Sequence, residues 1–178
     1  CAKTIFERRT KAVEQLLPLV ERYYALLSSD REQIGMQYRS DLQEGTMADM
    51  LLASRRKDFI NEHTTVGIHR DDVIFTIAEY PLRKFGSQGQ QKSFLVALKL
   101  AEYTLLAEHT NEKPILLLDD LFDKLDMGRV AQLLRLVGSE MFGQIFITDC
   151  NKHRLQRTLS EAGAEYKLFT IAEGKHHE

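Results

Sequence analysis

Two adjacent aspartates, Asp119 and Asp120, directly follow the apolar run of residues 115–118, which reads Ile-Leu-Leu-Leu. A short run without polar residues is typical of a parallel strand covered on both faces, and ligands of such sheets bind at the carboxyl ends of the strands. Asp119 could there hold Mg²⁺, which prefers oxygen ligands, and Asp120 could orient or deprotonate an attacking water. This is the pattern of a Walker B strand; the alternative is a strand end whose solvated acids cap the following turn.

A small, polar, glycine-containing stretch at residues 85–91 leads directly into a predicted helix. Its sequence, Phe-Gly-Ser-Gln-Gly-Gln-Gln, places unpaired backbone N–H groups at the start of that helix. Ser87 adds a hydroxyl and Gly89 permits close approach to the backbone, so the stretch predicts an anion site, with phosphate as the favoured ligand. The alternative is an ordinary N-capping loop. A Walker A loop is absent, because Gly-x-x-x-x-Gly-Lys-Ser/Thr occurs nowhere in the chain.

Two further acids, Asp123 and Asp126, come shortly after the aspartate pair. One acid close to the start of the helix predicted over residues 127–138 is an ordinary N-cap. Two acids so near Asp119 and Asp120 also suggest a loop that faces a partner or a metal. The spacing leaves both interpretations open.

The predicted helices and strands, which alternate along the chain, determine where the aspartates and the glycine-containing stretch lie. After a polar loop over residues 84–91, the apolar spacing predicts a long helix ending near His109. The strands predicted from β-branched and aromatic runs are residues 73–77, 115–118, 145–148 and 166–171, and the later helices are 127–138 and 151–162. Because strands and helices alternate, we expect an α/β arrangement in which neighbouring strands are parallel.

The first third of the chain is predicted to be helical. Apolar residues recur at helical spacing from Val13 to Leu27, with a kink or break expected at Pro18. Residues 31–45 are expected to form a connection with at most one short extended piece. A second helix is predicted from about Met47 to Asn61, with Thr46 as its N-cap. Its expected inward-facing residues are Met50, Leu51, Phe59 and Ile60.

Composition excludes several classes of protein. The 178 residues include 24 basic and 26 acidic side chains, a formal net charge of −2, which rules out a uniformly basic nucleic-acid coat but not a local basic patch. Hydrophobic residues make up 43%, too many for global disorder. Two cysteines fit a reducing cytosol, and no apolar run approaches the roughly 20 residues of a membrane helix. Because the chain starts at Cys1 and not at Met, we expect a piece of a longer protein.

The order of these motifs resembles the C-terminal half of an ABC-type (P-loop NTPase) ATPase head of the SMC-like kind, and specifically the C-terminal part of the RecF family of bacterial recombination mediators. The resemblance covers about residues 67–150. It is carried by residues 67–72 (Gly-Ile-His-Arg-Asp-Asp, with Ile68 where the family has Pro), 85–91, 97–102 and 116–120. Residues 1–62 fit the family's helical arm in position and type. The expected division is a helical arm at 1–66 and the signature and Walker B part of an ATPase head at 67–178.

The resemblance implies a function. Proteins of this family bind ATP and DNA, form homodimers when ATP is bound, and hydrolyse ATP slowly. They act with other mediator proteins in loading recombinase at gaps in double-stranded DNA. This activity is part of DNA replication, recombination, repair and the SOS response. The same resemblance implies a location in the cytoplasm, no association with membranes, and ATP with Mg²⁺ as cofactors.

The resemblance also assigns roles to individual residues. Ser87, Gly89 and Gln90 would contact ATP bound to the partner subunit, and Asp126 would belong to the D-loop at the dimer seam. Asp119 would hold Mg²⁺. Asp120 would be catalytic, at a position where many relatives have a longer Glu, which fits slow hydrolysis. The resemblance implies that the intact parent is a slow ATPase. Because the Walker A loop is missing, we expect this chain alone to be inactive.

Two points stay open at this level. The basic cluster Arg55, Arg56 and Lys57 on the second helix is a candidate DNA contact, although most such triplets are simply solvated. Residues 69–72, His-Arg-Asp-Asp, either order the arm against the head or serve a site at the dimer face.

The alternative to the whole assignment is a self-contained α/β signalling or binding module, in which Asp119 and Asp120 form an acidic Mg²⁺ pocket.

Overall fold

The computed structural model of the chain describes residues 1–29, 32–119, 125–172 and 175–177. It divides into two compact units, Cys1–Glu102 and Tyr103–Glu178. Within the described ranges, no helix is both long enough and apolar enough to cross a membrane. The division into an arm at 1–66 and a head at 67–178 concerns function and stays a prediction.

The first unit consists of helices around a small sheet. Its elements are helix α1 (Ala2–Ser28), strand β1 (Ile34–Arg39), helix α2 (Met47–Asn61), strands β2 (Asp72–Ile77) and β3 (Tyr80–Pro81), helix α3 (Leu82–Phe85) and the first part of helix α4 (Gln88–Thr110). Short 3-10 helices lie at Asp41–Gln43 and Ile68–Arg70. The polar stretch predicted as a loop at 84–91 is therefore mostly helical, and only Gly86 and Ser87 separate α3 from α4.

The sheet of the first unit is antiparallel, which corrects the expectation of parallel neighbours for residues 73–77. Strand β2 pairs along its full length with β1, from Ile34 opposite Ile77 to Arg39 opposite Asp72. It then turns into β3 through Ala78 and Glu79, whose φ angles are 45° and 68°. Positive φ at both central residues is the geometry of a tight hairpin turn, which makes the strands antiparallel. Apolar content alone does not carry this information.

The core of the first unit joins α1, the sheet and α4. Val20, Tyr23 and Tyr24 of α1 are fully buried. The ring of Phe94 on α4 lies 4.8 Å from that of Phe75 on β2 and 6.3 Å from that of Tyr24. Helix α1 continues past Pro18 to Ser28, so the expected break does not occur there.

Helix α2 has the predicted bounds and cap, but three of the four residues predicted to face inward are exposed, and only Met50 is half-buried. Thr46 accepts a hydrogen bond from the backbone N–H of Asp49 at 3.3 Å. Phe59 and Ile60 are 88% and 74% exposed, and Ser54 is the buried residue of this helix. Helical spacing identifies a helix, but scattered apolar residues do not decide which side packs.

Asp58 ties the end of α2 to the chain that follows. Its carboxylate accepts hydrogen bonds from the backbone N–H of Thr65 at 2.8 Å, from the Thr65 hydroxyl at 2.6 Å and from the Ser54 hydroxyl at 2.8 Å. The hydrogen bond from the Thr65 side chain is the main reason that the pKa of Asp58 is lowered. Hydrogen bonds to the charged form favour it.

The second unit contains the parallel pair. Its elements are strand β4 (Leu116–Leu118), helix α5 (Met127–Val137), strand β5 (Ile145–Ile147), helix α6 (Lys152–Glu161) and strands β6 (Thr170–Ala172) and β7 (Lys175–His177). Strands β4 and β5 are parallel, as predicted. The strand predicted at 166–171 is regular only from Thr170, and it forms an antiparallel hairpin with β7.

One face of the β4–β5 pair is not covered by the described residues of the second unit. Apolar residues of α5 and α6 form the core of the unit, among them Val130, Leu133, Leu134, Leu155 and Leu159. On the strands, Leu116 is buried, whereas Leu117 is 71% exposed and its partner Phe146 is 46% exposed. The expectation of a strand covered on both faces is thus met on one face only, because no described element of this unit covers Leu117.

Candidate functional site

The carboxyl edge of the parallel pair brings Asp119 next to Thr148. Leu118 pairs with Ile147, and the backbone N–H of Thr148 donates to the Leu118 carbonyl at 2.9 Å. The first residue after each strand is polar, and the Thr148 hydroxyl donates a hydrogen bond to Asp119 Oδ1. Asp119 therefore lies at the edge of the sheet predicted from the sequence. The neighbouring candidate, Asp120, lies outside the described residues.

The oxygen ligands at this edge fit a Mg²⁺ ion that is shared with a substrate. Asp119 is exposed, and a carboxylate has about four lone-pair positions, of which Thr148 uses one. Mg²⁺ usually takes one or two carboxylates and completes its shell with water and substrate phosphates. Among the described residues there is no cluster of three or more side chains that could hold a metal by itself. The exposed Asp119 carboxylate suits an ion of this kind, and a Mg²⁺ site at this edge stays a prediction.

Ser87 and Gln90 cap each other at the start of α4. The Ser87 hydroxyl oxygen accepts from the backbone N–H of Gln90 at 3.2 Å, and the backbone N–H of Ser87 donates to Gln90 Oε1 at 2.7 Å. This reciprocal pair is a capping box. It explains why helical structure extends so far into the stretch predicted as a loop: two orphan N–H groups are satisfied locally.

The capped turn still presents donors to a ligand. Ser87 is exposed, and its hydroxyl uses an oxygen lone pair for the cap, so its hydrogen remains available to a phosphate oxygen. Gly89 is half-buried in the first turn of α4, and its carbonyl accepts from the Ser93 hydroxyl at 2.8 Å. The first turn of a helix also carries partial positive charge. An anion site at this helix start stays a prediction.

Both the oxygen and the nitrogen of the Gln90 side-chain amide form hydrogen bonds. Its Oε1 belongs to the capping box, and its Nε2 donates to Glu32 Oε1 at 2.8 Å. Glu32 Oε2 in turn accepts from the hydroxyl of Tyr24 on α1. Sequence reasoning missed Glu32, because 58 residues separate it from Gln90 and it belongs to no motif.

Asp126 is the N-cap of α5. Its Oδ1 accepts from the backbone N–H of Arg129 at 2.9 Å, and its Oδ2 lies 3.2 Å from Arg129 Nε. The ordinary capping role is thus observed, and a D-loop role remains a proposal. Asp123 lies outside the described residues.

The basic cluster is fully on the surface. Arg55, Arg56 and Lys57 are all exposed on α2, next to the strongly exposed Phe59. Within the described part of the chain, none of the three forms an ion pair with an acid. The cluster is therefore available to an anionic partner, and its geometry does not identify one.

The segment 67–72 is anchored through Asp71. Its side chain is 2% exposed, and its Oδ2 accepts from Arg9 Nη1 at 2.8 Å and from the Tyr38 hydroxyl. The same Arg9 nitrogen donates to the carbonyl of Ile68 at 2.8 Å. Asp71 therefore joins α1, β1 and the 67–72 segment. This supports the ordering interpretation of the segment.

The contacts around Asp71 shift the pKa values of Asp71, Arg9 and Tyr38. Burial raises the pKa of Asp71, but hydrogen bonding with Ser40, Tyr38 and Arg9 outweighs it, so that the pKa is lowered overall. The hydrogen bond to Asp71 raises the pKa of Arg9, and burial is the main reason that the pKa of Tyr38 is raised. The pair of Asp71 and Arg9 is charged at neutral pH.

Comparison with known proteins identifies relatives over almost the whole chain. No protein-family model matches. The chain is 41% identical over 170 residues to the DNA replication and repair protein RecF of Bacteroides thetaiotaomicron, which is 96% of the chain and 46% of that protein. The RecF of Parabacteroides distasonis is 43% identical over 171 residues, with 96% and 47% covered. The chain spans about half the length of the curated relatives it matches.

Solved structures agree with this result. A structure of "the recombination mediator protein RecF-ATPrS in RecFOR pathway" matches with a TM-score of 0.71 and 26% identity, over 98% of this chain and 46% of that one. A structure of the same mediator with ATP matches with a TM-score of 0.66 and 28% identity, over 85% and 42%. The α/β fold class is confirmed, and the signalling-module alternative is not favoured.

Proposed function

Because the chain is RecF-like over almost its full length, we propose that it supplies the signature-loop and Walker B half of an ATP-dependent DNA-binding repair protein. One observation carries the proposal: the chain presents both an exposed, capped serine turn at a helix start and an aspartate at the carboxyl edge of a parallel strand pair. Each is suited to one part of a nucleoside triphosphate, the first to phosphate oxygens and the second to the associated Mg²⁺.

Asp119 is proposed to hold the metal. Thr148 orients its carboxylate, as an outer-shell partner does for a metal ligand. When bound, Mg²⁺ neutralises charge that develops on the phosphate oxygens. Asp120 is proposed as the group that orients or deprotonates the attacking water.

The signature turn, residues 87–90 at the start of α4, is proposed to act on ATP held by a second subunit. Ser87 offers its hydroxyl hydrogen, Gly89 permits close approach, and Gln90 keeps one of its two amide hydrogens after the bond to Glu32. Asp126 is proposed to lie at the seam between the two subunits. ATP thereby becomes part of the interface, and the dimer forms when ATP is present.

DNA and mediator proteins are the proposed partners. Arg55, Arg56 and Lys57 are the proposed phosphate contacts on the arm. Double-stranded or gapped DNA is the proposed substrate and the cytoplasm is the proposed location, with other mediator proteins assisting recombinase loading.

The test uses the complete protein that contains this chain. We expect it to sediment as a monomer without nucleotide and as a dimer with ATP and Mg²⁺, and to hydrolyse ATP slowly. The isolated chain, without a Walker A loop, should do neither. Concentration-independent monomers in saturating ATP and Mg²⁺ would refute the proposal.

A further inference from the structure

We propose that Glu32 is a positioning residue for the signature turn, linking helix α1 to Ser87 through Gln90. One oxygen of its carboxylate accepts from the Tyr24 hydroxyl, and the other accepts from Gln90 Nε2 at 2.8 Å. All four residues belong to the first unit of the chain. The consequence for ATP rests on the proposed function; the effect on the turn itself does not.

Glu32 determines which way the Gln90 amide points. A glutamine amide has a carbonyl on one side and an NH₂ on the other, and a simple flip exchanges them. An ionised carboxylate only accepts hydrogen bonds, so Glu32 draws the NH₂ group to its own side. The carbonyl of Gln90 then faces the backbone N–H of Ser87, from which it accepts a hydrogen bond at 2.7 Å. In the flipped orientation, two donors would face each other at Ser87 and two acceptors at Glu32.

Tyr24 makes the anchor rigid. It is fully buried, and its ring lies 6.3 Å from that of Phe94, which is itself buried on α4. The hydroxyl that reaches Glu32 therefore has a fixed origin in the core. Helix α1 and the start of α4 are joined twice, once by packed rings and once by the Tyr24–Glu32–Gln90 chain. A shift of α1 would therefore change the position of Ser87.

The relevant variant is Glu32→Gln, which keeps the size of the side chain and removes its obligate acceptor character. Either end of the new amide can face Gln90, so the capping box is no longer enforced. Tyr24→Phe is the second variant: it keeps the buried ring and removes only the hydroxyl that fixes Glu32. Glu14→Gln, an exposed glutamate on α1, is the matched control for the change of charge.

The first measurement concerns the turn directly. In the complete protein, amide hydrogen exchange of the segment 86–92 should become about tenfold faster in Glu32→Gln, which corresponds to losing about one hydrogen bond to a charged group. Tyr24→Phe should show a smaller increase and Glu14→Gln none. Unchanged exchange in both Glu32→Gln and Tyr24→Phe would overturn the proposal, whatever the protein does with ATP.

The second measurement concerns ATP. Dimerisation driven by ATP and Mg²⁺ should weaken about tenfold in Glu32→Gln, while ATP binding by dilute monomer stays unchanged, because the monomer's ATP lies on another part of the protein. A loss of monomer ATP affinity in proportion would indicate general damage and would overturn the positioning role. If Ser87→Arg blocks dimerisation and Glu32→Gln does not, the inference fails and the proposed function stands. If Ser87→Arg has no effect, the proposed function fails.

Discussion

The hydroxyl of Thr148 donates a hydrogen bond to the carboxylate of Asp119 across the ends of two parallel strands. The hydrogen bond joins a predicted metal ligand to a residue that carries no charge and belongs to no motif. It engages one oxygen of the carboxylate, Oδ1. The relation makes Thr148 part of the candidate site, although 29 residues separate the two.

Asp119→Asn should abolish Mg²⁺-dependent ATP hydrolysis in the complete protein. Loss of an orienting outer-shell partner already costs about 10- to 100-fold, so loss of the ligand should cost about 100-fold or more. Thr148→Val, which keeps the shape and removes the hydroxyl, should cost about tenfold. Steady-state turnover at varied Mg²⁺ measures both. Wild-type turnover in Asp119→Asn would exclude the metal role.

Ser87→Arg should block ATP-driven dimerisation, since a long side chain would occupy the space next to the helix start where a phosphate is expected. Ser87→Ala is the milder variant, because it removes the cap and the donor hydroxyl and lowers stability by about 1 kcal/mol. Sedimentation with and without ATP and Mg²⁺ distinguishes them. Dimerisation of Ser87→Arg at the wild-type concentration would contradict a trans contact at this turn.

Asp71→Asn should destabilise the first unit and make its stability less sensitive to acid. The buried carboxylate accepts from Arg9 and Tyr38, and hydrogen bonds to charged groups contribute about 1.5–3 kcal/mol. Because the folded pKa of Asp71 lies below the ordinary value of 3.8, its stabilisation is fully present above that value. It is lost as the pH falls from there through the folded pKa.

Urea unfolding from pH 7 to pH 2 tests this prediction. The wild-type protein should lose stability below about pH 4, and Asp71→Asn should lose less. Asp58, whose pKa is also lowered, contributes in the same direction in both proteins. An equal acid slope for wild type and Asp71→Asn would show that Asp71 is not the group responsible.

Reversing the charge of Arg55, Arg56 and Lys57 to Glu should weaken DNA binding by the complete protein. If each side chain neutralises one phosphate, the slope of log affinity against log salt should become shallower by about 0.9 for each of the three that is replaced. Arg135→Glu, on the exposed side of α5, is the control for a general change of charge. An unchanged salt slope would mean that the cluster is only a solvated surface.

Much of the local structure follows from sequence patterns. The bounds of α2, the cap at Thr46, the parallel pair β4–β5 and the place of Asp119 at its edge all match the predictions. Each rests on residues that are close in sequence, where spacing, capping and hydrophobic runs act directly on the backbone. The RecF-like assignment likewise depends on short motifs whose order is visible in the chain.

Other features depend on which elements meet in space. The apolar pattern predicted Phe59 and Ile60 to face inward, yet both lie exposed, and Ser54 is the buried residue of α2. The alternation of elements predicted 73–77 to be one of several parallel strands, whereas β1 and a tight hairpin make its sheet antiparallel. Neither outcome is encoded in the residues of the element itself.

The sequence by itself determined the class of protein, the two candidate ligand positions Ser87 and Asp119, and the bounds of α2, α5 and α6 to within one residue. Only the tertiary structure decided that Gln90 is oriented by Glu32 and that Asp119 is oriented by Thr148. The physical reason is range: capping and periodicity act over about four residues, whereas a hydrogen bond between distant side chains forms only after packing has brought their backbones together.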